Sequence, residues 1–239
     1  MTSWLTNSSF AHRGLHGRET GCVENSPAAF ELAIKEGFGF ELDVLLSKDH
    51  RAVVIHDETL DRLAGQDRKV IDLPAEEFKK VKLLGSDDHI PTLAEILKMT
   101  AARAPILIEI KGDQGEPEKI SQAVWQDIED YRGEVAIMSF YPDIVSYFQN
   151  THGDVPRGLV ATPLDDGGLP TQYFDEDYQI ELINSLAIDF IAYDIRAIPN
   201  KVTRYCQLHN IPVLTWTVRS EENRKIAHAY TDAIIFENN

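Results

Sequence analysis

Two cysteines in 239 residues, Cys22 and Cys206, give neither a disulfide framework nor a thiolate spacing that would hold zinc. No uncharged apolar run approaches the ~20 residues that a membrane-spanning helix needs, so the chain reads as soluble. Basic residues are scarce. Lys plus Arg total 23 against 39 Asp plus Glu, and the net charge of −16 works against long-range attraction to nucleic acid or to an anionic membrane. An anionic substrate would then need a local positive centre. The amino-terminal MTSWLTNSSFAHRG lacks the basic start and long apolar stretch of a secretory signal, which favours cytoplasmic residence. Repeats, linkers and low-complexity tracts are missing as well.

What is present is regular alternation. Strand-like apolar runs occupy 8–14, 38–46, 105–111, 134–140, 156–162, 189–194, 212–218 and 232–237, with helix signatures between them. Ser26-Pro27 makes an N-cap and first-turn pair, and Thr92 with Glu95 forms a capping box. Eight strands alternating with helices argue for a closed (β/α)8 barrel, and 239 residues suit a single domain spanning 1–239. Only three residues follow Phe236, so no eighth helix is expected, and Trp4-Leu5 is the candidate to cover that gap.

Residues 47–91 break the alternation. The run 51–57 follows the second strand too closely for a parallel crossover and must return as a hairpin. A two-residue turn at Asp49-His50 would set Asp43 opposite His56. The rest of 47–91 is expected to form a small cap over the barrel mouth.

Alternation also sorts the side chains. In the second strand Phe38, Phe40, Leu42 and Val44 face the helices while Glu41 and Asp43 face inward, and in 105–111 Glu109 and Lys111 point inward beside them. Three carboxylates thus converge near the C-terminal ends of adjacent strands, where barrel active sites lie. Uncompensated buried carboxylates cost several kcal/mol, so they need cations. Two arrangements satisfy them. One is an internal ion-pair network with Lys111 and Arg13; the other is a hard divalent cation, Mg²⁺ or Ca²⁺, held by Glu41, Asp43 and Glu109 through oxygen. All-oxygen ligation disfavours zinc. His12 and His56 end short apolar runs near the same rim, either as hydrogen-bonded core histidines or as a pair facing each other across a phosphodiester.

At these residues the sequence resembles the glycerophosphodiester phosphodiesterase family over almost its whole length. The family's motifs follow in order as His12-Arg13-Gly14, Glu24-Asn25-Ser26, Glu41-x-Asp43, His56-Asp57 and Glu109-x-Lys111. The resemblance implies a TIM barrel of the phospholipase C-like phosphodiesterase type with a small insertion after the second strand. It also implies a metal at Glu41, Asp43 and Glu109, an acid and base pair in His12 and His56, phosphate contacts from Arg13 and Lys111, and Trp216 as a wall of the glycerol pocket. The reaction expected is metal-dependent hydrolysis of a glycerophosphodiester to glycerol 3-phosphate and an alcohol, without nucleic acid or stable membrane insertion. Two departures lie near the mouth: Arg219 stands where the family often has Asn, and Phe236-Glu237 where it often has Thr-Asp.

Other readings are a related barrel phospholipase acting on a lipid phosphodiester, a metal-dependent isomerase or aldolase on the same fold, and a module that binds glycerol phosphates without cleaving them. The lipid reading needs an apolar rim, to which a cap carrying Asp61, Arg62, Asp67, Arg68, Lys79 and Lys80 is poorly suited.

Overall fold

The computed structural model describes residues 2–112, 114–165 and 168–238. In chain order the elements are α1 (Trp4–Asn7), β1 (Phe10–Ala11), α2 (Pro27–Lys35), β2 (Gly39–Leu46), β3 (Ala52–Val54), α3 (Asp61–Ala64), α4 (Ala75–Phe78) and α5 (Leu93–Thr100). They continue with β4 (Ile106–Ile110), α6 (Pro117–Ile128), β5 (Val135–Ser139), α7 (Pro142–Thr151), β6 (Arg157–Ala161) and α8 (Glu176–Leu186). The last are β7 (Phe190–Asp194), α9 (Lys201–Leu208), β8 (Val213–Val218), α10 (Glu221–Tyr230) and β9 (Ala233–Phe236). The sheet runs β1-β9-β8-β7-β6-β5-β4-β2, and β1 also pairs with β2, which closes an eight-stranded parallel barrel. This is the TIM barrel that the alternation predicts.

Local chemistry starts the helices where the sequence indicates. Ser26 Oγ accepts from the Ala29 amide at 3.2 Å ahead of Pro27. At α5 the box is reciprocal: Thr92 Oγ1 accepts from the Glu95 amide at 3.3 Å, and Glu95 Oε2 accepts from the Thr92 amide at 2.8 Å. Both satisfy amide groups that a helix start otherwise leaves without partners. The outward set Phe40, Leu42, Val44, Ile106, Ile108 and Ile110 is fully buried between sheet and helices.

Three expectations change in detail. Strand β1 is short because Arg13 (φ +55°) and Gly14 (φ +79°) turn the chain at once. A Cβ on Gly14 would meet Ala29 at 2.8 Å, so that turn needs glycine for space as well as for its φ. The hairpin register is shifted by one: Val44 pairs with Val54, Leu45 with Val53 and Leu46 with Ala52, and the Ile55 amide donates to the Asp43 carbonyl at 3.1 Å. Ile55, not His56, therefore stands opposite Asp43. The cause is a three-residue loop, Lys48-Asp49-His50, with His50 left-handed at φ +57° and the Ser47 amide donating to the Arg51 carbonyl at 2.9 Å. Third, α1 does not stand in for an outer helix. Leu5 packs with Phe10, Leu107, Ala136, Phe190 and Ile235 inside the barrel and seals its N-terminal end, with Trp4 edge-on to Phe10.

Within 47–91 a second apolar cluster joins Leu45, Val53 and Ile55 to Leu60, Val70, Phe78 and Ile90. Leu45 lies on the face of β2 that carries Glu41 and Asp43. Above the barrel rim that face is covered by the chain of 47–91, which leaves the carboxylates below it as the floor of a cavity.

Candidate active site

The cavity at the C-terminal end of the strands has a volume of about 690 Å³ and is lined by His12, Arg13, Glu41, His56, Glu109, Lys111 and Trp216 among others. Every residue singled out from the sequence thus meets at one place, with Asp43 just beneath the lining at 1% exposure. Ligand oxygens of Glu41, Asp43 and Glu109 lie within 4.8 Å of one another.

Both compensating arrangements read from the sequence leave traces. Lys111 Nζ hydrogen-bonds Glu109 Oε1 and stands 3.0 Å from Asp43 Oδ1. Arg13 Nε lies 3.1 Å from Asp43 Oδ2, its Nη1 donates to Glu24 at 2.8 Å, and its amide donates to Glu41 Oε2 at 3.0 Å. Arg13 reaches the site because the chain has already left β1, so strand alternation no longer governs it. Lys111 and Arg13 are thus two cations beside the three carboxylates Glu41, Asp43 and Glu109, and Arg13 is shared with Glu24 as well. Burial pushes Asp43 up, but Lys111 and Arg13 hold its carboxyl well below the usual range. Glu41 goes the other way. Burial, with the charges of Asp43 and Glu109, drives its carboxyl well above that range, and its Oε1 is buried without a hydrogen-bond donor. An orphaned oxygen in an all-oxygen set fits a hard divalent cation.

The two histidines share a construction. His12 Nδ1 lies 2.6 Å from Glu237 Oε1, and His56 Nδ1 lies 2.8 Å from Asp57 Oδ1. An ionised carboxylate only accepts, so each Nδ1 carries a proton, and neither Nε2 is engaged by that carboxylate. His12 is largely buried, which lowers its pKa although the bond to Glu237 works against that. His56 is a third exposed.

Several participants escaped the sequence reading. Asn25, left-handed at φ +55° and buried, donates to Asp43 Oδ2 at 2.9 Å. Arg62 of α3 clamps Glu24 through two bonds of 2.8 Å and Asp57 through one of 2.6 Å. Trp216, which the resemblance marks as a pocket wall, does line the cavity; the sequence did not show that its indole N–H is committed to the Ala192 carbonyl at 2.9 Å or that Phe140 stands edge-on to it. The Glu24-Asn25 motif was visible; the partner of each residue was not.

Fold and cavity define a (β/α)8-barrel enzyme whose mouth combines an acidic floor, two cations and two imidazoles. The chain belongs to the glycerophosphoryl diester phosphodiesterase family, whose model matches residues 12–238, and so to the phosphoric diester hydrolases. A glycerophosphodiester phosphodiesterase of Caldanaerobacter subterraneus subsp. tengcongensis is 31% identical, covering 94% of this chain and 91% of that one. The match to one from Bacillus altitudinis is 35% identical and spans 58% of this chain and 60% of that relative. Among solved structures, the glycerophosphodiester phosphodiesterase of Thermotoga maritima superposes with a TM-score of 0.77 at 27% identity, covering 95% and 93% of the two chains. An Oleispira antarctica phosphodiesterase, solved in complex with sn-glycerol-3-phosphate, shares the fold with a TM-score of 0.82 at 21% identity, over 96% and 92%. Family membership sets aside the isomerase and aldolase readings. Among the described residues no helix is long and apolar enough to cross a membrane.

Proposed function

We propose that this protein hydrolyses glycerophosphodiesters to glycerol 3-phosphate and an alcohol, with a divalent cation at Glu41, Asp43 and Glu109 and with His12 and His56 exchanging protons with the substrate. Residues 1–239 act as one catalytic domain in which 47–91 is the cap. The observation that carries the reading is the shared cavity, in which two imidazoles, each with Nδ1 tied to a carboxylate, border an acidic cluster and two cations. The product bound in the Oleispira antarctica structure supports the same substrate class.

In-line displacement at phosphorus needs one group to take the nucleophile's proton and another to give a proton to the departing alkoxide. His12, buried and with an Nε2 that Glu237 does not engage, is the base; His56, nearer the solvent, is the acid. Proton count closes when His56 enters as the imidazolium, with a second proton on Nε2: the proton of the attacking O–H moves to His12 Nε2 as the new P–O bond forms, and the Nε2 proton of His56 leaves with the alcohol as the old P–O bond breaks. Arg13 and Lys111 bind the non-bridging oxygens and offset the charge that grows on them. Trp216 presents an apolar face to the glycerol carbons. When bound, Mg²⁺ or Ca²⁺ would supply Lewis-acid charge to the phosphoryl oxygens.

The test is to incubate the protein with several glycerophosphodiesters, with and without Mg²⁺ or Ca²⁺, and to identify the products. Glycerol 3-phosphate and free alcohol in equal amounts are expected. Phosphate-compound binding without alcohol release would leave a binding module instead.

A further inference from the structure

We propose that Glu237 and Arg219 form a positioning pair for His12, with Glu237 holding the imidazole and Arg219 acting only through Glu237. The proposal rests on the reading of His12 as the base. Arg219 Nε donates to Glu237 Oε2 at 2.7 Å and its Nη2 donates to Oε1 at 2.8 Å, the same oxygen that takes His12 Nδ1 at 2.6 Å. A two-pronged guanidinium fixes the plane of the carboxylate, and the carboxylate then fixes the ring. His12 Nε2 is left towards the acidic cluster, 3.9 Å from Glu41 Oε2.

The backbone sets this chain of contacts at the seam where the barrel closes. The His12 amide donates to the Phe236 carbonyl at 2.8 Å, and the Glu237 amide donates to the Val218 carbonyl at 3.1 Å. Sheet register therefore brings the ends of β1, β8 and β9 together. The opposite flank repeats the order of groups: His56 to Asp57 at 2.8 Å, then Asp57 to Arg62 at 2.6 Å. Both imidazoles are backed by a carboxylate that is itself held by an arginine.

Two other uses of these residues compete. Ligand atoms of His12, His16 and Glu237 lie within 4.8 Å of one another, the spacing of a metal site. Arg219 already engages both oxygens of Glu237, so a cation there would have to displace a guanidinium and take the base's own nitrogen. Arg219 also lines the cavity, where it could instead touch the substrate.

Steady-state kinetics with saturating cation separate these. Glu237→Ala should lower kcat by ~10²-fold with KM nearly unchanged. Glu237→Gln should recover much of that, because its amide oxygen still accepts from Nδ1–H. Arg219→Ala should show a smaller fall in kcat, and Glu237→Ala/Arg219→Ala should be no worse than Glu237→Ala alone. A folded Glu237→Ala protein with normal kcat would overturn the proposal. So would an Arg219→Ala effect that lies in KM and persists undiminished in the Glu237→Ala background. Imidazole ¹⁵N shifts give a readout independent of turnover: His12 should be the Nδ1–H tautomer in the parent and lose that preference in Glu237→Ala. If His12→Ala keeps full activity, the base assignment fails, while the tautomer measurement still decides whether Glu237 holds the ring.

Discussion

Arg62 and Glu24 meet in a two-pronged ion pair, Nη1 to Oε2 and Nη2 to Oε1, both at 2.8 Å. Arg62 belongs to the segment inserted after β2, and Glu24 also accepts from Arg13 at 2.8 Å. The inserted segment thus touches Arg13, the residue proposed to bind the phosphate, through one shared carboxylate. Arg62→Ala should lower kcat/KM by about tenfold, worth ~1.4 kcal/mol. Because Arg62 is half exposed, global stability should change by only ~1 kcal/mol or less. Kinetics and thermal unfolding on the same preparation check this, and a loss of stability without a loss of kcat/KM would assign the pair to cap docking alone.

The histidines should differ in their response to the leaving group. His12→Ala and His56→Ala are each expected to reduce turnover of an alkyl diester by ~10²-fold or more without altering the far-ultraviolet circular dichroism. A p-nitrophenyl ester departs without a proton. On that substrate the His56→Ala defect should shrink sharply and the His12→Ala defect should persist. Equal defects on both substrates would remove the distinction between acid and base.

These residues were unequally legible in the sequence. Glu41, Asp43 and Glu109 could be assigned to the barrel interior because period-two alternation holds within a strand, and the apolar partners Leu42 and Ile108 point the opposite way. His56 could not be derived from register, since a left-handed His50 lengthens the turn and moves Ile55 opposite Asp43. It reaches the cavity because strand pairing has ended by then. Arg219 and Glu237 were noticed as departures from the family pattern, but their pairing with each other and with His12 depends on barrel closure, 225 positions apart for His12 and Glu237. Alternation is local, and it gives no information on contacts of that kind.

Cation binding should be visible in stability as well as in rate. Glu41 has a buried oxygen without a donor, and the floor sets three carboxylates beside two cations, of which Arg13 is shared with Glu24 as well. A ligand that binds only the folded state at 100 times its Kd stabilises by ~2.7 kcal/mol. Mg²⁺ or Ca²⁺ should therefore raise Tm after treatment with a chelator, and Glu41→Gln should lessen that rise and raise the cation concentration needed for half-maximal activity. Full activity in the presence of a strong chelator would count against the ion.

Acid should unfold the seam and the cap contact together. Burial alone would push Glu237 up, yet its bonds from His12 and Arg219 hold the carboxyl well below the usual range. Glu24 is lowered in the same way against its own burial, by Arg62 and Arg13. A carboxyl whose folded pKa lies below its unfolded value of ~4.3 stabilises the fold above that pH and loses the contribution as pH falls towards the folded value. Tm should therefore drop steeply below about pH 4.3. Glu237→Gln and Glu24→Gln should each be less stable than the parent at neutral pH but lose less on acidification, so that the curves converge at the acid end. Parallel curves for parent and variant would show that the carboxylate in question contributes nothing through its charge, and that the arginine beside it stabilises the fold by packing alone.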